Sequence, residues 1–262
     1  MKTGRVGRFT LSLALVAAGL LFIQTQQGSR EGAELNLPLK KNPPVSHAPN
    51  FASITDVTDK KVAFFDYLRP MIEEENQRIL LQRSLVEVLY ERLQQGQSLD
   101  ETELSLLGKL AQEYRLELRA VTEQSLVDLL ERIDAIPAEM VLVQAANESG
   151  WGTSRFALEG NNYFGQWCFT RGCGLVPNSR SSGLNHEVAR FDSAQASVAS
   201  YLRNLNTNAA YKELRTLRRW YREANQPVTA EVLIPTLVRY SERKEEYVAE
   251  LLQMLENNKA YL

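Results

Sequence analysis

The chain is short of the residues that metal and nucleophile chemistry usually draws on. It has two histidines, His47 and His186, and two cysteines, Cys168 and Cys173. A zinc centre takes its ligands mostly from those two residue types, so a His/Cys metal cluster is not expected. A Ser-His-Asp arrangement has equally little to work with. Charge of one sign is also lacking: 30 basic and 32 acidic residues leave a formal net charge of -2. Without a strongly basic field, nucleic acid is not an expected partner. No metal and no organic cofactor is expected.

Four stretches follow one another. Residues 1–27 read as a signal peptide or signal anchor: Lys2, Arg5 and Arg8 precede an apolar run from Phe9 to Ile23. No small-x-small cleavage site follows, which leaves an inner-membrane anchor open, with the remaining chain in the periplasm. Residues 28–54 form a Pro-rich linker that includes His47, read as a solvated residue. Residues 55–133 show helical apolar spacing, with Pro70 expected to kink or restart the first helix and Gly96 to end it. Ser98 and Glu101 are spaced as a capping box for a second helix reaching about Leu118, and a third spans about Thr122 to Ile133. Residues 134–262 hold the candidate site.

That site is organised around PAEMVLVQAANESGWGTSRFALEGNNYFGQWCF, residues 137–169. Pro137 suits a first helical turn, and the segment after it is apolar nearly all round, which predicts a core helix. Ser149-Gly150 stops it. Glu148 then lies in the last turn, where the helix dipole disfavours an ionised carboxylate and apolar neighbours such as Trp151 add desolvation. A carboxyl kept protonated near neutral pH is what a general acid for glycoside cleavage requires. A lone glutamate at a helix end is more often a structural cap, so its flanking residues decide the reading.

Those flanks, AANESGWGTSRFALEGNNYFGQW, resemble the signature of the glucosaminidase family, glycoside hydrolase family 73, which includes flagellar peptidoglycan hydrolases. The likeness extends from Pro137 to the C-terminus. With FASITDVTDKKVAFFDYLRPMIEEEN ahead of it, the chain resembles the bacterial Bax proteins, Gram-negative envelope proteins that carry this domain. The resemblance implies a mainly α, lysozyme-like α+β fold with a small β-hairpin lobe and an N-terminal helical extension. It implies an endo-β-N-acetylglucosaminidase acting on the β-1,4 bond after N-acetylglucosamine in peptidoglycan, as a monomer. Glu148 would be the acid. Asn162, Tyr163, Phe164 and Gly165 match the family's cleft-floor element, and Tyr240 matches a tyrosine that lies near the acid. Trp151 and Trp167 are candidate sugar platforms, with Trp151 equally a packing residue.

The hairpin region departs from the better-known members. They carry a second acid in its first half, whereas residues 170–186 contain no Asp or Glu. Glu187 is the nearest candidate for a second carboxylate. The gap favours a mechanism that uses the substrate's own N-acetyl group. Cys168 and Cys173 suggest a disulfide across a tight loop, with thiol chemistry as the weaker alternative. His186 is read as a strand residue facing water. Arg215, Arg218, Arg219 and Arg222 are read as a solvated basic helix face, and Tyr247 as structural. A lytic transglycosylase and a non-catalytic peptidoglycan-binding or scaffold protein are the alternative functions.

Overall fold

The computed structural model describes residues 48–177 and 186–262. The expected export segment and the linker through His47 lie outside the described residues. Among the described residues, no helix is long and apolar enough to cross a membrane. These residues divide into two compact units: one holds 77–133, the other the residues up to Asn76 together with Asp134–Leu262.

The 77–133 unit is helical. It contains the second part of α1 (Val57–Gln94), then α2 (Glu101–Glu113) and α3 (Glu123–Arg132). Helix α1 continues through Pro70 rather than restarting there. Asp66, one turn earlier, is solvent-exposed, so water can take the place of the amide donor that proline lacks. The capping box of α2 is built by Asp100 and Glu103, two residues later than the Ser98 and Glu101 pattern. Asp100 has the extended backbone that lets its side chain reach the Glu103 N–H, at 2.9 Å. Helix α2 ends at Glu113, short of Leu118, because Tyr114 leaves the helical path and Arg115 turns left-handed at φ 54°. Thr122 and Ser125 cap α3 reciprocally. Inside the unit, Ile79, Val86, Leu89, Leu107, Leu110, Leu126 and Leu129 are buried. The buried Tyr114 hydroxyl donates to Gln82 at 2.7 Å, so the polar groups among them are paired.

The second unit is arranged around α4 (Ala138–Ser149). Every residue from Met140 to Ala146 has 0% exposure. A helix that is apolar all round has no face to offer water, and here it is enclosed on all sides. Helices α8 (Ala230–Leu233) and α9 (Glu245–Asn258) pack on it. Each large apolar side chain buried this way contributes about 1.5–3 kcal/mol. Between α4 and α8 run α5 (Arg155–Gly160), the small sheet, α6 (Ala194–Thr207) and α7 (Lys212–Glu223).

The turn that launches α4 is held by charge. Asp134 is 1% exposed and forms a bidentate ion pair with Arg222. Arg218 lies 3.6 Å from the same carboxylate and donates to the Asp134 carbonyl at 2.9 Å. Arg215 donates to the carbonyls of Leu205 and Asn208. The solvated reading of this arginine face is therefore corrected for Arg215 and Arg218, which are buried. Arg215 and Arg218 lie on the buried side of α7, while Arg222 stays exposed at its edge and reaches back to the buried Asp134 carboxylate. Arg219 points the other way and pairs with Glu223 at 2.7 Å.

The lobe is a three-stranded antiparallel sheet rather than a simple hairpin. Strand β3 (Glu187–Ala189) lies between β1 (Trp167–Cys168) and β2 (Gly174–Leu175). Trp167 pairs with Val188 across one edge and Leu175 pairs with Val188 across the other. A disulfide joins Cys168 to Cys173, closing the loop between β1 and β2.

Candidate active site

Helix α4 ends in an unusual turn. Gly150, Trp151 and Gly152 are all left-handed, at φ 57°, 57° and 75°. A tryptophan in that region carries backbone strain, which persists only where the surroundings impose it. Three contacts impose it. The Trp151 N–H donates to the Ala146 carbonyl at 2.9 Å. The buried Ser149 hydroxyl accepts from the Gly152 N–H at 2.8 Å. The indole packs edge-on against Phe64 and at a tilt against Phe65. A Cβ on Gly152 would come within 2.4 Å of the Phe51 ring, so only glycine allows that ring to cover the turn. The ESGWG segment thus specifies a strained, rigid platform just after Glu148.

Glu148 is half-buried in the last turn of α4, and among the described residues it has no ion-pair partner. The Tyr247 hydroxyl donates to its Oε1 at 2.8 Å. Burial pushes the carboxyl above its ordinary value of 4.5; the Tyr247 hydrogen bond and the charge of Arg243 pull the other way, and Glu250 adds to the rise. Desolvation is the largest effect, so the balance favours the protonated acid.

The oxygen atoms of Glu148 are inequivalent. Tyr247 accepts from the Gln144 amide at 2.9 Å, and Gln144 accepts from the Tyr201 hydroxyl. With its lone pairs engaged by Gln144, the Tyr247 hydroxyl turns its hydrogen to Glu148. Oε1 is therefore an acceptor, so a proton carried by this carboxyl sits on Oε2. That atom faces Gly165: a Cβ built there would lie 3.4 Å from Oε2, and Gly165 has φ 62°. A side chain at 165 would require a left-handed backbone and would crowd the acid oxygen.

The loop that presents Gly165 is held from inside. Asn162 is 1% exposed, and its Nδ2 donates to the carbonyls of Gln166 and Ala189, each at 2.9 Å. Its Oδ1 accepts from the N–H groups of Phe164 and Gln166. Phe164 is stacked on Tyr201 with ring centroids 4.0 Å apart, and Tyr163 packs among Phe64 and Tyr67. These positions correct the expectation that Asn162, Tyr163 and Phe164 meet substrate: all three are buried, and what they touch is the protein. Tyr240 donates to the Phe164 carbonyl at 2.7 Å, and its ring lies parallel to that of Tyr247, 5.6 Å away. The tyrosine bonded to the acid is thus Tyr247 rather than Tyr240. Its sequence gave little warning, but a buried glutamine at position 144, one turn before Glu148 on an apolar helix, signals a polar partner arriving from elsewhere.

Glu187 is placed differently from the expected second acid. It is 5% exposed, and its two oxygens accept from the N–H groups of Gly172 and Gly174, at 3.0 and 2.9 Å. Both oxygens serve to close the disulfide loop. Trp167, 58% exposed on β1, stacks on His186 at 4.3 Å, which corrects the expectation that this imidazole simply faces water. Trp151 is only partly exposed and has Lys61 over its ring at 5.6 Å.

A mainly α, lysozyme-like fold with a partly desolvated carboxyl at the broken end of its central helix describes a class of glycan-cleaving proteins. Residues 124–260 match the Glucosaminidase family, described as mannosyl-glycoprotein endo-beta-N-acetylglucosaminidase, and the chain belongs to that family. It is also 35% identical over 214 residues to Protein bax of Escherichia coli (strain K12), covering 81% of this chain and 75% of that protein. No solved structure matches. Membership of this family implies a glycan hydrolase of the endo-β-N-acetylglucosaminidase type, acting in the cell envelope.

Proposed function

We propose that the protein is a peptidoglycan endo-β-N-acetylglucosaminidase with Glu148 as its general acid. The observation that carries this reading is the setting of that carboxyl: partly desolvated, raised above its ordinary value, without an ion-pair partner among the described residues, and with its second oxygen against Gly165, which has no side chain to cover it. Glu148 Oε2 gives its proton to the glycosidic oxygen as the bond from C1 breaks. The 2-acetamido carbonyl oxygen of the sugar bonds to C1 from the other face and spreads the positive charge. Water then opens this cyclic intermediate at C1 and returns a proton to Glu148. The substrate-assisted route is favoured because Glu187 is occupied by the lobe's own N–H groups. Gly165 leaves room at the acid, Tyr247 positions it, and Trp167 offers an exposed sugar platform. The protein acts in this reading as a monomer in the periplasm, released after cleavage of residues 1–27 or anchored to the inner membrane through them.

The test is digestion of purified sacculi with mass analysis of the products. Reducing N-acetylglucosamine ends are expected, and they disappear with Glu148→Gln. Anhydro-muramyl ends would replace the reading with a lytic transglycosylase. Tight binding without any product would replace it with a wall-binding protein.

A further inference from the structure

A recess lies on the face of α4 next to that of Glu148. It has a volume of about 430 Å³ and is lined in part by Lys61, Asn147, Trp151, Glu250, Asn257 and Asn258. That volume falls within the range of about 300–1,000 Å³ usual for small-molecule sites. One residue along an α-helix is a rotation of about 100°, so Asn147 looks into this recess while Glu148 looks into its own corner. The two surrounds differ in chemistry. Tyrosines and a glycine touch the acid, with the charges of Arg243 and Glu250 acting on it from farther off, whereas the recess is lined by one cation, that same Glu250, three carboxamides and an indole.

Lys61 is half-buried over the Trp151 ring, and among the described residues it has no ion-pair partner. Asn258 is 3% exposed; its Nδ2 donates to the Met254 carbonyl at 2.7 Å, while its Oδ1 is buried without a hydrogen-bond partner. A buried acceptor left bare is unfavourable and gains from an incoming N–H. Glu250 also lines the recess and is held by Arg243 at 2.5 Å. A neutral sugar has no counterpart for this lysine and glutamate, and an apolar ligand would strand the carboxamides. A short peptide with a free carboxylate matches all of them.

We propose that this recess binds the peptide carried by the glycan strand. Its carboxylate sits on Lys61, its amides pair with Asn147, Asn257 and Asn258, and an amine, where present, turns toward Glu250. This inference rests on the proposed function, since peptidoglycan places such a peptide on the same strand as the sugar bond to be cut. The enzyme then holds peptide-bearing strands by two contacts beside each other on α4.

The test has a binding arm and a turnover arm, both on the full chain. In the first, calorimetry compares a synthetic stem tetrapeptide ending in a free carboxylate with the same peptide ending in an amide. The carboxylate form is expected to bind roughly tenfold tighter, the size of one charge-assisted contact. Lys61→Met is expected to level the two. Asn257→Ala, at an exposed position, is expected to weaken both forms alike. In the second arm, KM is measured on peptide-bearing strands and on strands stripped of peptide by an amidase. Wild type is expected to show a KM roughly tenfold lower on the former. Lys61→Met loses that preference and keeps its rate on stripped strands. Equal affinity for both peptides, or no binding of either, overturns the proposal. Peptide binding without cleavage of any strand would support the recess and sink the hydrolase reading. Cleavage without peptide binding would do the reverse.

Discussion

At the end of α4, Glu148 accepts one hydrogen bond from a phenol, and desolvation keeps its carboxyl above its ordinary range. On β3, Glu187 is more deeply buried yet accepts two hydrogen bonds from backbone N–H groups, one to each oxygen. Burial therefore does not by itself make an acid available for proton transfer. What counts is whether the neighbours satisfy the charged form. Two amide donors occupy both oxygens of a carboxylate that closes a loop, whereas a single tyrosine and a bare glycine leave one oxygen free to hold a proton.

The strongest test of this contrast exchanges each acid for its amide. Glu148→Gln is expected to lower turnover on sacculi by about 10²–10⁴-fold, the usual loss on removing a general acid or base. The same substitution has a thermodynamic signature. The folded carboxyl is raised above 4.5, so it holds a proton that the unfolded chain has already released. Its favourable contribution to stability is complete below that ordinary value and is lost as pH rises through the raised one. Thermal melts should therefore show Glu148→Gln gaining stability over wild type as pH rises, with the gain absent below about pH 4.5. Glu187→Gln should instead lose stability. It replaces one accepting oxygen by a donor facing the Gly172 or Gly174 N–H, costing about 1.5–3 kcal/mol by denaturant melts. Turnover of the folded fraction should be nearly unchanged. A loss of rate equal to that of Glu148→Gln would dissolve the distinction between the two acids.

Gly165→Ala sharpens the same comparison without touching either carboxylate. It adds a methyl 3.4 Å from Glu148 Oε2 at a backbone of φ 62°. The strained backbone and the added methyl shift the loop against the acid, and this is expected to lower kcat by up to about 10²-fold, read in steady-state kinetics. Tyr247→Phe removes the hydrogen bond that favours the charged acid, so the carboxyl rises further. A general acid fails as it deprotonates, so the alkaline limb of the rate profile should move to higher pH. The rate itself should fall by about tenfold as Oε1 loses its anchor. Trp167→Ala has the smallest expected effect. Loss of an exposed platform should raise KM by about three- to tenfold, with kcat kept.

Much of this was legible before any coordinates. Pro137, an unbroken apolar run and Gly150 mark α4 from both ends, and the only two cysteines of the chain leave one possible pair. Glycines in ESGWG and NNYFG also announce backbone that must turn sharply or pass close to something. Other readings failed for one recurring reason: local pattern shows that a residue is special but not which way it faces. The arginines of α7 read as a wet face because a basic helix face is usually solvated, yet Arg215 and Arg218 are buried on backbone carbonyls and Arg222 pairs with the buried Asp134 carboxylate. Asn162, Tyr163 and Phe164 carry the signature of a site and turn out to support it from below.

The sequence by itself determined the central helix, the place where it breaks, the acid at that break and the disulfide loop. These depend on neighbours along the chain, through hydrophobic period, helix-ending residues and cysteine count. Only the tertiary structure decided which tyrosine reaches Glu148, across a separation of 99 residues, and that Glu187 belongs to the lobe. Hydrogen-bond partners are chosen by distance and direction in space, within a few tenths of an ångström. Residue order carries that information only after the chain has packed.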